Sequence, residues 1–193
     1  MTVGLVLGLG NPGNQYAHTR HNVGFDVAAE VLRRRGRYGW LTRKECEIAV
    51  ITPGRFVAIA RPLSFMNRSG RVAGALLMEM ALEPANMLVV VDDIDLPLGN
   101  LRLRMRGGPG THNGLRDISA AVGTDYPRLR VGVRGPGIGG DLAEYVLGRF
   151  EGEENAAAEA VIQRAADAVE SVLRVGVERS MNTVNRSPKD QTR

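Results

Sequence analysis

Three short apolar runs limit the folds open to this chain. Val3 to Leu9, "NMLVVVDD" ending in Asp92 and Asp93, and "LRVGV" from Leu129 to Val133 each read as a buried strand, because runs without polar alternation need both faces covered. Helical patterns lie between them. Val23, Val27 and Val31 recur at helical spacing after Asn22, a candidate N-cap, and stop at Gly36. Val72, Leu76, Leu77 and Met80 share one side of a pattern running from Phe65 to Met80, and "HNGLRDISAAV" reads as a helix after the glycine-rich loop at 107–110. Beyond a Gly/Pro-rich loop at 135–140, two helical segments are expected, the longer from about Glu153 to Val175 with Val161, Ala165, Val169 and Val172 inward. "CEIAVIT" and "RFVAIARP" flank Pro53-Gly54 and predict a hairpin. "LRLRMR" alternates, so Leu101, Leu103 and Met105 face inward and Arg102, Arg104 and Arg106 share the other face. The alternation of strands and helices predicts one α/β domain at 1–185, a twisted mixed central sheet flanked by helices, with a polar, disordered tail at 186–193.

The chain has 193 residues, of which 44% are hydrophobic and 24% charged, enough to bury a core. No apolar run approaches the roughly 18 to 20 residues that cross a bilayer, and no secretory pattern opens the chain. One cysteine, Cys46, excludes an internal disulfide and favours a reducing cytoplasm. Cys46 itself reads as a small buried hydrophobe. The net charge of +4 is unevenly placed. Arg102, Arg104, Arg106, Arg116, Arg128, Arg130 and Arg134 face only Asp117 and Asp125 in one stretch, whereas residues 141–178 are predominantly acidic. Such polarity suits polyanion docking, although ordinary solvated faces give the same pattern. The only lysines are Lys44 and Lys189. Arginine suits bidentate phosphate contacts, and a compositional bias would give the same excess.

Gly8-Leu9-Gly10-Asn11-Pro12-Gly13 matches the dinucleotide fingerprint Gly-x-Gly-x-x-Gly. That fingerprint needs its glycines to open a helix whose N-terminus faces a pyrophosphate, and an acid about 20 residues further on. Here Asn11-Pro12-Gly13-Asn14 is turn chemistry, the next helical pattern waits until Asn22, and "LRRRGRYGW" holds no acid. Nicotinamide cofactor binding is therefore not expected. The loop reads instead as a presenter of side chains.

Sites in open α/β sheets form at the carboxyl ends of strands. Asn11, Tyr16 and His21 follow the first strand, Asp92 and Asp93 end the second, and Asn67 and His112-Asn113 stand at segment starts. An imidazole, a carboxylate and three amides could activate water, fix the tautomer and hold a polarised carbonyl. No Gly-x-Ser-x-Gly nucleophile elbow is present. Each residue also has a plainer reading: His21 as a cap or surface group, Asp92 as a turn cap, Asn11 as a turn residue. His21, His112 and Asp92 could also ligate a metal, but no metal-binding spacing supports this.

Taken together, "GLGNPGNQYAHTRHNVGF", "RPLSFMNRSG", "VVVDDIDLPLG" and "GTHNGLRDI" followed by "YPRLRVGV" resemble the bacterial-type peptidyl-tRNA hydrolase family, from about residue 3 to 184. The resemblance implies hydrolysis of the ester between a peptide and the 3′-terminal ribose of tRNA, recycling tRNA from aborted translation. It implies a cytoplasmic monomer without cofactor or metal, whose partner is peptidyl-tRNA, held by its acceptor end and phosphate backbone, rather than DNA or a membrane. Carried over by position, it makes His21 the general base, Asp92 its partner, and Asn11 a contact to the peptide that distinguishes a blocked amino group from a free one. Tyr16, Phe65, Asn67 and Asn113 would line the site, and Arg104 and Arg130 would contact the tRNA body. The chain departs from the family at Thr111, where Gly is usual, at Pro109, and at Asp93, where Glu is common. A non-catalytic RNA-binding protein on the same fold is the alternative; the complete set of His21, Asp92, Asn11, Asn67 and Asn113 favours the enzyme.

Overall fold

The computed structural model describes residues 2–36, 39–52, 56–136 and 140–186. Its strands are β1 (Leu5–Gly8), β2 (Leu41–Thr42), β3 (Cys46–Thr52), β4 (Val57–Pro62), β5 (Met87–Pro97), β6 (Leu101–Arg104) and β7 (Arg128–Arg134). Its helices are α1 (Val23–Arg34), α2 (Ser69–Glu79), α3 (Asn113–Val122), α4 (Leu142–Leu147), α5 (Glu154–Val175) and α6 (Val177–Val184). The strands form one mixed sheet in the order β2-β3-β4-β1-β5-β7-β6. β1 runs parallel to β4 and β5, and β5 parallel to β7, while β2, β3 and β6 add antiparallel edges.

The apolar runs are central strands, and their alternation divides between two cores. Val6, Leu88 and Val90 face a cluster completed by Val27 and Val31 of α1 and by Val161, Ala165 and Val169 of α5. Leu5, Leu7, Met87, Val89 and Val91 face Val72, Leu76 and Leu77 of α2 and Leu115 and Ile118 of α3. The sheet is thus covered on both sides, which is why its centre tolerates no polar alternation.

The glycines after the first strand serve close packing. A Cβ on Gly8 would stand 2.2 Å from the Gly24 carbonyl oxygen, and one on Gly24 would stand 2.5 Å from the carbonyl oxygens of Leu9 and Val90. A Cβ on Gly10 would meet the Phe25 ring at 2.7 Å. α1 begins only at Val23, so the glycines bring it against β1 and do not open it.

Several boundaries differ from expectation. β3 and β4 pair antiparallel as the hairpin requires, with an irregularity between Val50 and Thr52; the Pro53-Gly54 turn lies outside the described residues. The 65–80 pattern splits into a 3-10 turn at Met66–Arg68 and α2. Three helices, not two, follow residue 140: α5 matches the longer expected helix, Gly176 at φ 86° ends it, and α6 follows unforeseen. β2 is too short to carry a period. Met105 falls past the end of β6 and packs partly buried against the core. Cys46 is buried in β3. Residues 137–139 of the Gly/Pro-rich loop and 187–193 of the tail lie outside the described residues.

Candidate active site

Four pieces of chain meet beyond the carboxyl end of β1, beside the middle of β5, which does not end at Asp92 and Asp93 as expected but runs on to Pro97. The first is the loop from Leu9, whose N–H donates to Val90 O at 2.9 Å and so continues the sheet register. Asn11 follows, and two hydrogen bonds to Asn22 fix its backbone: Asn11 N–H donates to Asn22 Oδ1 at 2.8 Å and Asn22 Nδ2 donates to Asn11 O at 2.9 Å. Asn22 is therefore not a side-chain N-cap for α1, since its polar atoms are spent on the loop. The Asn11 side chain is oriented as well, its Oδ1 accepting from Met66 N–H at 2.8 Å. That leaves the Nδ2 amide, a donor, as its free end.

The second and third pieces carry His21 and Asp92. His21 sits in a 3-10 turn at Arg20–Asn22, and Asp92, 3% exposed, sits where β5 passes its last paired neighbour on β1. His21 Nδ1 lies 2.9 Å from Asp92 Oδ1. The fourth piece adds a contact that sequence reasoning missed: His112 Nε2 lies 2.9 Å from the same oxygen, and the two imidazoles are 5.0 Å apart. His112 is the N-cap of α3, its Nδ1 accepting from Leu115 N–H at 3.2 Å. An accepting Nδ1 places the proton on Nε2, so His112 donates to Asp92. The signal lay in "THNGL", an N-capping position followed by a helical pattern.

Burial alone would lower the His21 value, but the Asp92 charge and hydrogen bond outweigh it and hold the imidazole above its ordinary 6.5. Burial pushes Asp92 up, but the charges and hydrogen bonds of His112 and His21 outweigh it, so it lies far below the carboxylate range. An ionised Asp92 makes His21 Nδ1 the donor, leaving Nε2 with its lone pair, and no hydrogen bond among the described residues engages that nitrogen. Ligand atoms of His21, Asp92 and His112 all lie within 4.8 Å of one another. A metal would need a lone pair on His112 Nε2, which carries a proton while Nδ1 caps α3. So engaged, the three groups do not form a metal-ligand set.

These groups open into a cavity of about 690 Å³. Asn11, His21, Phe65, Asn67, Asp92 and Asn113 line it, as expected, together with Arg130. Tyr16 is not in its wall; it stands edge-on behind Phe65, ring centroids 6.3 Å apart. Arg104 lies outside the cavity, exposed on β6. Arg130 is already engaged, with NH1 3.2 Å from Asp93 Oδ2 and NH2 donating to Gly108 O at 3.1 Å. Arg128, expected on a basic surface, is 1% exposed: it stacks on Tyr126 and donates to Gly107 O at 2.5 Å and Thr124 O at 2.9 Å. The two arginines hold the glycine-rich loop that leads to His112 and Asn113. The acidic stretch is likewise partly neutralised, with Glu154 paired to Arg20 and Asp167 to Arg34. An apolar far wall from α4, including Leu142 and Val146, was also not foreseen.

A cavity that offers a free imidazole nitrogen and amide donors, with no serine or cysteine among the described residues lining it, belongs with hydrolases built on an α/β sheet. Similarity to known proteins makes this specific. The model of the family described as peptidyl-tRNA hydrolase matches residues 5–192. A relative of that name from Roseiflexus sp. (strain RS-1) is 46% identical over 187 residues, 95% of this chain and 86% of that protein. Another from Rhodococcus jostii (strain RHA1) is 46% identical over 186 residues, 94% of this chain and 97% of its own. The crystal structure of peptidyl-tRNA hydrolase from Acinetobacter baumannii matches with a TM-score of 0.88 at 31% identity, covering 96% of this chain and 95% of that one. The chain belongs to the peptidyl-tRNA hydrolase family, whose members are ester-hydrolysing enzymes. Among the described residues no helix is long and apolar enough to cross a membrane.

Proposed function

We propose that this enzyme cleaves the ester joining a peptide, or an N-blocked amino acid, to the 3′-terminal ribose of tRNA, and that His21 activates the attacking water. The observation that carries this reading is the 2.9 Å contact of His21 Nδ1 with buried Asp92. It holds the ring with Nε2 as the acceptor. Water attacks the acyl carbon while Nε2 takes its proton. The tetrahedral oxyanion is stabilised by amide N–H groups at the cavity wall. Collapse expels the ribose oxygen, which recovers the proton from the imidazolium.

Asn11 supplies the discrimination. With Oδ1 bound to Met66 N–H, it presents only N–H donors. A blocked substrate offers a carbonyl oxygen to those donors, whereas a free ammonium offers only protons, and donor facing donor is repulsive. Buried unmatched groups of this kind cost about 1–3 kcal/mol, roughly a 5- to 150-fold preference. Asn67 and Asn113 flank the acyl group and Phe65 stacks against the 3′ end. Arg104 meets tRNA phosphates as a cytoplasmic monomer docks its substrate.

The test is release of tRNA from N-acetyl-aminoacyl-tRNA beside the unblocked form, with no added metal. Rapid cleavage of the blocked substrate, lost by about 10²-fold or more in His21→Ala, is expected. Turnover in His21→Ala within tenfold of the unaltered enzyme would refute the assignment. Tight, salt-sensitive tRNA binding without cleavage by the unaltered chain would mark a binding module instead.

A further inference from the structure

The apolar wall facing the catalytic groups is formed by α4, and α4 has little to hold it by itself. It has six residues, none of them buried. Its N-cap Asp141 accepts from Ala143 N–H at 2.8 Å. A helix this short is marginal without tertiary support, yet it places Leu142, Ala143, Val146 and Leu147 against the cavity.

The support comes from Arg20, the residue next to His21. Arg20 N–H donates to Gly148 O at 3.0 Å, and Thr19 forms an antiparallel bridge with Arg149. Arg20 is buried, its side chain 9% exposed. NH1 donates to Arg149 O at 2.7 Å and NH2 pairs with Glu154 Oε2 at 2.5 Å. Its face lies 4.2 Å from the Tyr145 ring centre and 5.1 Å from that of Phe150. Tyr145 is anchored in turn: its hydroxyl accepts from Gly135 N–H at 2.8 Å and donates to Val133 O at 3.1 Å. One side chain therefore grips the back of α4, the segment after it and the start of α5, while the adjacent residue carries the imidazole.

We propose that Arg20 is a positioning residue for ester hydrolysis, fixing the α4 wall relative to His21 so that an acyl group resting on Leu142 and Val146 presents its carbonyl to the imidazole. The proposal rests on His21 being the base. Misplacement by about 1 Å can cost 10²-fold in rate, so a wall left to its own six residues would be expensive. Lysine cannot replace the arginine. A single ammonium cannot reach both Arg149 O and Glu154 while also lying against the Tyr145 and Phe150 rings.

The test uses Arg20→Lys and Glu154→Gln in the full chain, with His21→Ala as reference. The substrate is N-acetyl-aminoacyl-tRNA, and the readouts are kcat, KM, the pH profile of kcat/KM and amide hydrogen exchange. In Arg20→Lys, kcat/KM is expected to fall tenfold or more, with KM raised at least fivefold. The acid limb should stay in place, because the His21–Asp92 contact is untouched, and exchange should accelerate over 142–148 more than in α5 or the sheet. Glu154→Gln should show the same pattern more weakly, and it carries the test if Arg20→Lys fails to fold. Kinetic constants within twofold of the unaltered enzyme in both variants would overturn the proposal. So would exchange accelerated equally along the chain, or an acid limb that moves while KM does not. Undiminished turnover in His21→Ala would instead overturn the base assignment, while KM and exchange still judge the tie between Arg20 and α4.

Discussion

Asp92→Asn separates the charge of the carboxylate from its geometry. Where a carboxylate holds one imidazole, the amide can turn its NH2 to the ring, reverse the tautomer and cost about 10⁴-fold. Here one oxygen, Asp92 Oδ1, serves both His21 and His112. His112 must donate because its other nitrogen caps α3. An amide at 92 is therefore held with its oxygen toward both rings, and its NH2 takes the place of Oδ2. The His21 tautomer survives and only the charge is lost. A hydrogen bond to a charged group is worth about 1.5–3 kcal/mol against roughly 0.5–1.5 for a neutral one. The imidazolium of the transition state thus loses about 1–2 kcal/mol, or about 5- to 30-fold in kcat. The base also titrates lower, since burial remains and the raising influence of Asp92 is gone. The assay is initial-rate tRNA release from N-acetyl-aminoacyl-tRNA between pH 5 and 9. The acid limb of kcat/KM should move down relative to the unaltered enzyme, in which Asp92 raises the His21 value. Asp92 stays ionised throughout, because its contribution is lost only as pH falls through its depressed value. The raised His21 value gives the pair its full stabilisation below 6.5, lost as pH rises through that value. The Tm gap between the two proteins should therefore narrow from pH 6 to pH 9. A 10⁴-fold loss, or an unmoved acid limb, would refute the shared-oxygen argument.

Two further contrasts follow from the geometry. Arg104→Ala should raise KM, flatten the log–log salt dependence of tRNA binding by about 0.7 to 0.9 for each phosphate left without its cation, and leave kcat intact. Arg130→Ala should also lower kcat, because Arg130 holds the loop leading to Asn113; identical behaviour of the two variants would contradict this division. Gly24→Ala should destabilise the fold by about 1–3 kcal/mol or more, since the added carbon meets two backbone oxygens at 2.5 Å. Urea unfolding with an unchanged slope measures it, and a loss below about 0.5 kcal/mol would show that α1 can shift.

The elements legible in the sequence were those whose periodicity is enforced by burial. β1, β5 and β7 are buried on both faces, and α1, α3 and α5 keep one apolar stripe, so their patterns are unambiguous. β2 has only Leu41 and Thr42, which is too short for any period. α6 has eight residues and only Val177, Ser180 and Val184 buried, too few apolar positions to show a period. At the site, His21, Asp92, Asn11, Asn67 and Asn113 could be found by type and position. Their mutual fixing could not, because Asn11 is bonded to Met66 across 55 residues and Asp92 to His112 across 20. The charge map misled for the same reason. A charge count along the chain cannot tell that Arg128 stacks beneath a loop or that Glu154 is taken by Arg20.

The same long-range pairing shows what arginine does at three positions where lysine could not. Arg20, Arg34 and Arg128 each hold partners from separate segments with different arms of one guanidinium. Arg34 reaches Glu30 at 2.8 Å, Asp167 at 2.6 Å and Gln163 O at 3.0 Å, joining α1 to α5. Arg128 joins the glycine-rich loop to the turn before β7. A lysine concentrates its donors on one nitrogen and cannot bridge such spacings. Compositional bias alone therefore does not account for these positions, and their charges are not available to a polyanion. What remains exposed in the basic stretch is the set Arg102, Arg104, Arg106, Arg116 and Arg134. On the function proposed above, the face that meets tRNA is narrower than the basic stretch implies and includes the β6 edge. There Asn185, at the end of α6, pairs with both the N–H and the carbonyl of Leu103, at 2.7 and 3.1 Å. Asn185 thereby occupies the outer edge of β6 at Leu103, between the exposed side chains of Arg102 and Arg104.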